Sequence, residues 1–153
     1  MPKPYIVLRE RYYPKTWRAC RIGRDLTRLT RNLKLIPLDD PAHGPQSFKA
    51  WCDEDLHAEV GWVTYKGNQG EDWHQDGDLV QGSRMDHAEV LWSNRTPTQF
   101  RYEGKIYQPK PFQIIIVKNL DGEHRRPGNA PKRRWFFRQR VELPKNWRRL
   151  KGL

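Results

Sequence analysis

From Glu59 onward the chain is a succession of short segments rich in β-branched and aromatic residues, each closed off by Gly, Asp, Asn or Pro. Segments of that length and composition are written for strands rather than for helices. The spacing predicts strands over 60–65, 89–92, 99–102, 105–108, 112–118 and 135–141, with a tight turn at Tyr102-Glu103-Gly104-Lys105. Upstream, residues 5–8 read as one more strand. Ile22, Leu26, Leu29 and Leu33 then recur at helical steps, opposite Arg24, Arg28 and Arg31. After a Pro-rich break over 37–45, Ser47 is placed to cap a second short helix in which Phe48, Trp51, Cys52 and Leu56 share a face. Helices followed by a run of strands give a mainly β fold, a jelly roll or related sandwich with one or two N-terminal helices packed on it.

With 153 residues there is room for one real core and little for a second. The expected organisation is a single domain: a strand and helices over 1–58, the β core over 59–143 and a C-terminal tail over 144–153. Seven Trp, six Tyr and five Phe offset a hydrophobic fraction of only 36%. Only Cys20 and Cys52 occur, without C-x-x-C spacing, which argues against a disulfide framework or a thiolate zinc site. No apolar run approaches membrane-span length and the start lacks the apolar centre of a signal peptide, so a cytoplasmic protein is expected. The net charge of +11 attracts anions: small acids, nucleotides or nucleic acid.

In Gly70-Glu71-Asp72-Trp73-His74-Gln75-Asp76-Gly77, His74 and Asp76 stand two apart, so on extended backbone both side chains leave one face. Two imidazoles and a carboxylate form the facial triad that suits Fe(II) and leaves positions open for a chelating cosubstrate and oxygen. His124, 48 residues beyond Asp76 and just past the most apolar strand, is the candidate for the second imidazole. H-x-D alone is more often the pattern of a loop histidine beside an Asx-turn aspartate. Further on, Arg134 and Arg138 share one face of a strand between bulky aromatics. An inward guanidinium there grips a carboxylate in bidentate fashion, whereas an outward one belongs to a basic edge strand.

H-x-D, a threonine-bearing strand, a histidine and then Arg-Arg-x-x-x-Arg together resemble the iron(II)/2-oxoglutarate oxygenase superfamily, most nearly its taurine and clavaminate-type dioxygenases, over roughly Trp73 to Val141. The resemblance implies a double-stranded β-helix. It makes His74, Asp76 and His124 the iron ligands and Arg134 the partner of the distal carboxylate of 2-oxoglutarate. Thr98 matches the hydroxyl that helps hold that carboxylate, with Thr96 as its competitor. Arg138 would face the keto-acid end or an anionic substrate, and the two arginines exchange roles if the strand register differs. Asn119 would orient His124. The implied reaction couples O2 and 2-oxoglutarate to oxidation, by hydroxylation, of a C–H bond in a small or nucleotide-like anion, releasing succinate and CO2. The long insertion that shapes the lid of taurine-type enzymes does not fit into 48 residues, so their substrate specificity does not transfer.

Two other readings stand beside this one. A non-enzymatic basic nucleic-acid-binding protein accounts for the charge and the arginine-studded helix without any metal. A metal-binding cupin of another activity, such as an isomerase, keeps the three ligands but has no need of Arg134. Trp73 and Trp92 are either walls of the pocket or ordinary core. His43, His57 and His87 lack partners at ligand spacing and read as surface or packing residues, and Asp78 as a turn residue.

Overall fold

The computed structural model describes residues 4–30, 48–53, 58–63, 72–74, 87–117, 123–128 and 132–142. Its elements in chain order are β1 (Tyr5–Arg9), α1 (Ala19–Leu29), β2 (Phe48–Asp53), β3 (Ala58–Val63), β4 (His87–Ser93), β5 (Gln99–Tyr102), β6 (Lys105–Tyr107), β7 (Ile114–Val117), β8 (Glu123–Arg125) and β9 (Arg134–Glu142). They build a larger sheet in the order β1-β7-β4-β9-β3-β2 and a smaller one in the order β6-β5-β8. All the pairings are antiparallel.

The order follows from one turn. Glu103 and Gly104 both adopt positive φ, 49° and 77°, the geometry that matches a two-residue hairpin to the twist of its strands. Around it the partners nest. β5 pairs with β6, β4 with β7, the isolated bridge at His74 with β8, and β3 with β9. An antiparallel ribbon wound so that successive pairs alternate between two sheets is a jelly roll, a double-stranded β-helix.

Strand alternation divides the apolar residues between two layers. On one face of the larger sheet Val60, Val90, Trp92, Ile116 and Phe137 pack beneath Ile22 and Leu26 of α1. On the other, Tyr5, Ile115 and Val117 meet Phe100 of the smaller sheet. Each large side chain fully removed from water contributes about 1.5–3 kcal/mol. The helix fits closely, because the Trp51 ring lies where a β-carbon on Gly23 would go. Beyond its last turn, the Thr30 hydroxyl bonds the Leu26 and Thr27 carbonyls and reaches buried Gln139 of β9.

The expected second helix is a strand. β2 pairs with β3, placing Phe48 opposite Trp62 and Trp51 opposite Val60, with a bulge between Lys49 and Trp51. The bulge lets three residues cover a span that two cover in a regular ladder. A step of three in the apolar pattern therefore imitates a helix. Leu33, Arg31 and the tail over 144–153 lie outside the described residues. No helix among the described residues is long and apolar enough to cross a membrane.

Candidate metal centre

β8 is three polar residues, Glu123-His124-Arg125, held against β5 with His124 opposite Phe100. Directly opposed residues of an antiparallel pair project to the same side. Phe100 is buried between the sheets, so His124 faces that interior. His74 bridges His124 through two reciprocal backbone bonds, His74 N–H to the His124 carbonyl at 3.1 Å and His124 N–H to the His74 carbonyl at 2.9 Å. The imidazole centroids stand 4.4 Å apart, with planes inclined by 60°.

The His74 ring is held from behind. Its Nδ1 lies 2.7 Å from the Asp72 carbonyl, which can only accept, so Nδ1 carries a proton and, in the neutral ring, the lone pair falls to Nε2. That is the tautomer and the anchoring found where histidine ligates a metal. Asp76, Asp78 and Asn119 lie outside the described residues, and no group of three or more His, Cys, Asp or Glu able to hold a metal occurs among the described ones. The two expected imidazoles are thus brought together, while the carboxylate is not described.

Arg134 and Arg138 project from β9 on the side of Leu91 and Ile115, toward the smaller sheet. Arg134 is buried, and its Nε donates to the Thr96 carbonyl at 2.8 Å. Thr96 has φ 40°, in the left-handed region, and its buried Oγ1 finds no hydrogen-bond partner among the described residues. Asn94 fastens this connection to β9 by accepting from the Trp135 N–H through its side chain and donating from its own N–H to the Trp135 carbonyl. Of the two candidate threonines, Thr96 is therefore the one whose backbone holds Arg134. Thr98 is half-buried two residues further on, just before β5.

Arg138 bridges carboxylates on both neighbouring strands. Its Nε lies 3.8 Å from Oε1 of Glu59 on β3 and 3.6 Å from Oε1 of Glu89 on β4. Glu59 is 1% exposed. A buried carboxylate needs such a partner, because desolvation costs several kcal/mol per ion. Sequence reasoning missed both glutamates, although each is a lone charge inside an apolar strand and so was open to suspicion.

Trp73 is not a wall of the interior. It precedes inward-facing His74 by one position, and alternation turns it to the outer side of the smaller sheet, where the Arg101 and Arg125 guanidinia lie 4.6 and 4.4 Å from its ring centroid. Trp92 is core, 2% exposed, with its indole N–H on the Tyr12 carbonyl at 3.2 Å. His87 opens β4, while His43 and His57 lie outside the described residues.

The strand order and the nested pairing define a jelly-roll protein. No protein-family model matches the chain, and no curated protein does. Among solved structures, the chain is similar to the plu4264 protein from Photorhabdus luminescens, with TM-score 0.38, 15% identity and coverage of 72% of this chain and 87% of that one. It is also similar to the Cnp3 cupin domain of Schizosaccharomyces pombe, with TM-score 0.39, 11% identity and coverage of 80% and 74%. Both likenesses are remote, and the jelly-roll assignment follows from the nested strand pairing without them.

Proposed function

We propose that this chain is an Fe(II)- and 2-oxoglutarate-dependent oxygenase that oxidises a C–H bond of an anionic substrate and releases succinate and CO2. The observation that carries the reading is the His74–His124 pair, with rings 4.4 Å apart and the His74 Nδ1 proton committed to a carbonyl. His74, His124 and Asp76 would hold the iron, in keeping with the donor set that suits it. Arg134 would hold the distal carboxylate of 2-oxoglutarate. The buried Thr96 hydroxyl, without a hydrogen-bond partner among the described residues and on the residue that anchors Arg134, fits that anion, and Thr98 is the alternative hydroxyl. Arg138, already facing two carboxylates, is the weaker choice.

When bound, iron and 2-oxoglutarate activate O2. The protein's own groups bind, orient and exclude water. With Asp72 holding Nδ1, the His74 ring is fixed in direction and, in its neutral form, would offer Nε2 to the metal. Arg134 arrives desolvated and fixed, so little side-chain entropy is lost on gripping a carboxylate. Phe100, Ile115 and Val117 form the apolar part of the interior between the sheets and would help exclude water. A reducing, cytoplasmic setting suits the free Cys20 thiol.

The test is conversion of 2-oxoglutarate to succinate with Fe(II), O2 and ascorbate, alongside calorimetric binding of Fe(II) and then of 2-oxoglutarate under nitrogen. A His74→Ala protein that bound iron as tightly as the parent would sink the metal assignment. Unchanged 2-oxoglutarate affinity in Arg134→Ala would sink the cosubstrate assignment alone. A second reading, a metal-dependent cupin with no 2-oxoglutarate, is favoured by the bond that commits Arg134 Nε to Thr96. It predicts tight metal binding with no 2-oxoglutarate uptake.

A further inference from the structure

We infer that the segment from Arg9 to Arg28, together with the end of the larger sheet that it covers, is a docking surface for single-stranded nucleic acid. This surface lies on the outer side of the larger sheet and is independent of the metal reading.

Two large aromatics in this segment are left in water, Tyr13 at 55% and Trp17 at 47% exposure. Both rest on further rings. Tyr13 lies 4.4 Å from Phe112, and Trp17 is 6.3 and 6.0 Å from Trp92 and Trp135. Cations stand at both ends of the seam, Arg11 at 5.3 Å over Tyr13 and Arg133 at 4.0 Å over Trp62. Half-exposed rings supported from beneath, with guanidinia beside them, are what successive unpaired bases stack upon.

The charge of the segment has the same sense. Seven cations and two acids occur between residues 9 and 28, and all seven cations are exposed. The acids are committed locally. Glu10 accepts from the Gln113 side chain at 2.9 Å, and Asp25 accepts from the Tyr12 hydroxyl at 2.9 Å and faces Arg21 at 3.3 Å. On α1, Arg21, Arg24 and Arg28 recur at steps of three and four on the face opposite buried Ile22 and Leu26. A phosphate chain can follow that row into the aromatic seam. An acidic protein needs the cations but not a row of flat rings between them, and a base-paired duplex hides the faces that the rings would stack on, while an anionic membrane, whose interface also takes Trp and Tyr, is distinguished by the vesicle competitor below.

The experiment is fluorescence anisotropy with a labelled oligothymidine of about twenty nucleotides, without added metal and with chelator present. Competitors are a duplex of equal length, polyglutamate, and vesicles of phosphatidylserine and phosphatidylcholine. Binding should weaken with salt. Tyr13→Ala and Trp17→Ala should each weaken it by about fivefold or more, while Tyr13→Phe and Trp17→Phe retain it. The triple variant Arg21→Gln, Arg24→Gln, Arg28→Gln should lower the salt slope by about 2. Far-UV circular dichroism checks that each variant is folded. Unchanged affinity in both alanine variants, or equal competition by duplex, polyglutamate or vesicles, would overturn the proposal and leave only charge-driven adhesion.

Discussion

Replacing Trp73 by Ala should loosen the one short stretch that carries His74. Residues 72–74 are joined to β8 by the reciprocal pair of backbone bonds at His74 and His124. From outside, Trp73 lies against Arg101 and Arg125 at 4.6 and 4.4 Å. Both arginines are themselves fixed, Arg101 by Glu123 at 2.6 Å and Arg125 by the Gln99 side chain at 2.8 Å, so the contacts cost little further ordering. Each cation–π contact at a partly exposed site contributes about 0.5–1 kcal/mol. Losing both should make local opening about 5- to 30-fold more frequent, since about 1.4 kcal/mol is a factor of ten. Amide hydrogen exchange on the metal-free protein reads this directly. The His74 and His124 amides should exchange faster by that factor while Val90 and Ile116 in the core hold their rates. Unchanged exchange at both histidines would refute the clamp, and equal acceleration everywhere would show global destabilisation instead. On the proposed metal reading, added metal should slow exchange at the same two amides, because it binds only the bridged form.

Arg138→Met should cost about 3–5 kcal/mol in urea unfolding by taking a cation away from buried Glu59, and adding Glu59→Gln should recover much of that. Gly23→Ala should lower stability by about 1–3 kcal/mol in thermal melts, because overpacking against the Trp51 ring outweighs the roughly 1 kcal/mol gain in helix propensity. Burial and then the bond to Asp25 push the Tyr12 phenol well above its ordinary range. With the folded value raised, the stabilisation is complete below about pH 10, where unfolded tyrosine begins to ionise, and is lost as the pH climbs toward the folded value. Tyr12→Phe should therefore be less stable than the parent at neutral pH, and melting curves across about pH 9–11 should show that gap narrowing.

Much of the β core was legible because turns and apolar segments set its period. The expected strands over 89–92, 99–102, 105–108, 112–118 and 135–141 overlap β4, β5, β6, β7 and β9. Where the sequence misled, the cause is local. β2 imitates a helix because of its bulge. β8, Glu123-His124-Arg125, has no apolar residue to announce it, and only the ladder to β5 and the bridge to His74 make it a strand. Trp73 was open to either role until its outward position was set by the inward position of His74.

The meeting of His74 with His124 has the same origin as the fold. Nested about the Glu103–Gly104 hairpin lie, from the inside outward, β5 with β6, β4 with β7, His74 with β8 and β3 with β9. Two histidines fifty residues apart are then opposite partners in one layer of the roll. The arginines differ because a strand's neighbours cannot be read from the strand itself. Arg134 and Arg138 share a face of β9, but Arg134 stands beside the Thr96 connection, whereas Arg138 stands between two strands that each present a glutamate. Four residues along one strand thus separate a guanidinium anchored on a carbonyl from one set between carboxylates, and it is the carboxylates around Arg138 that, on the proposed reading, leave the anion to Arg134.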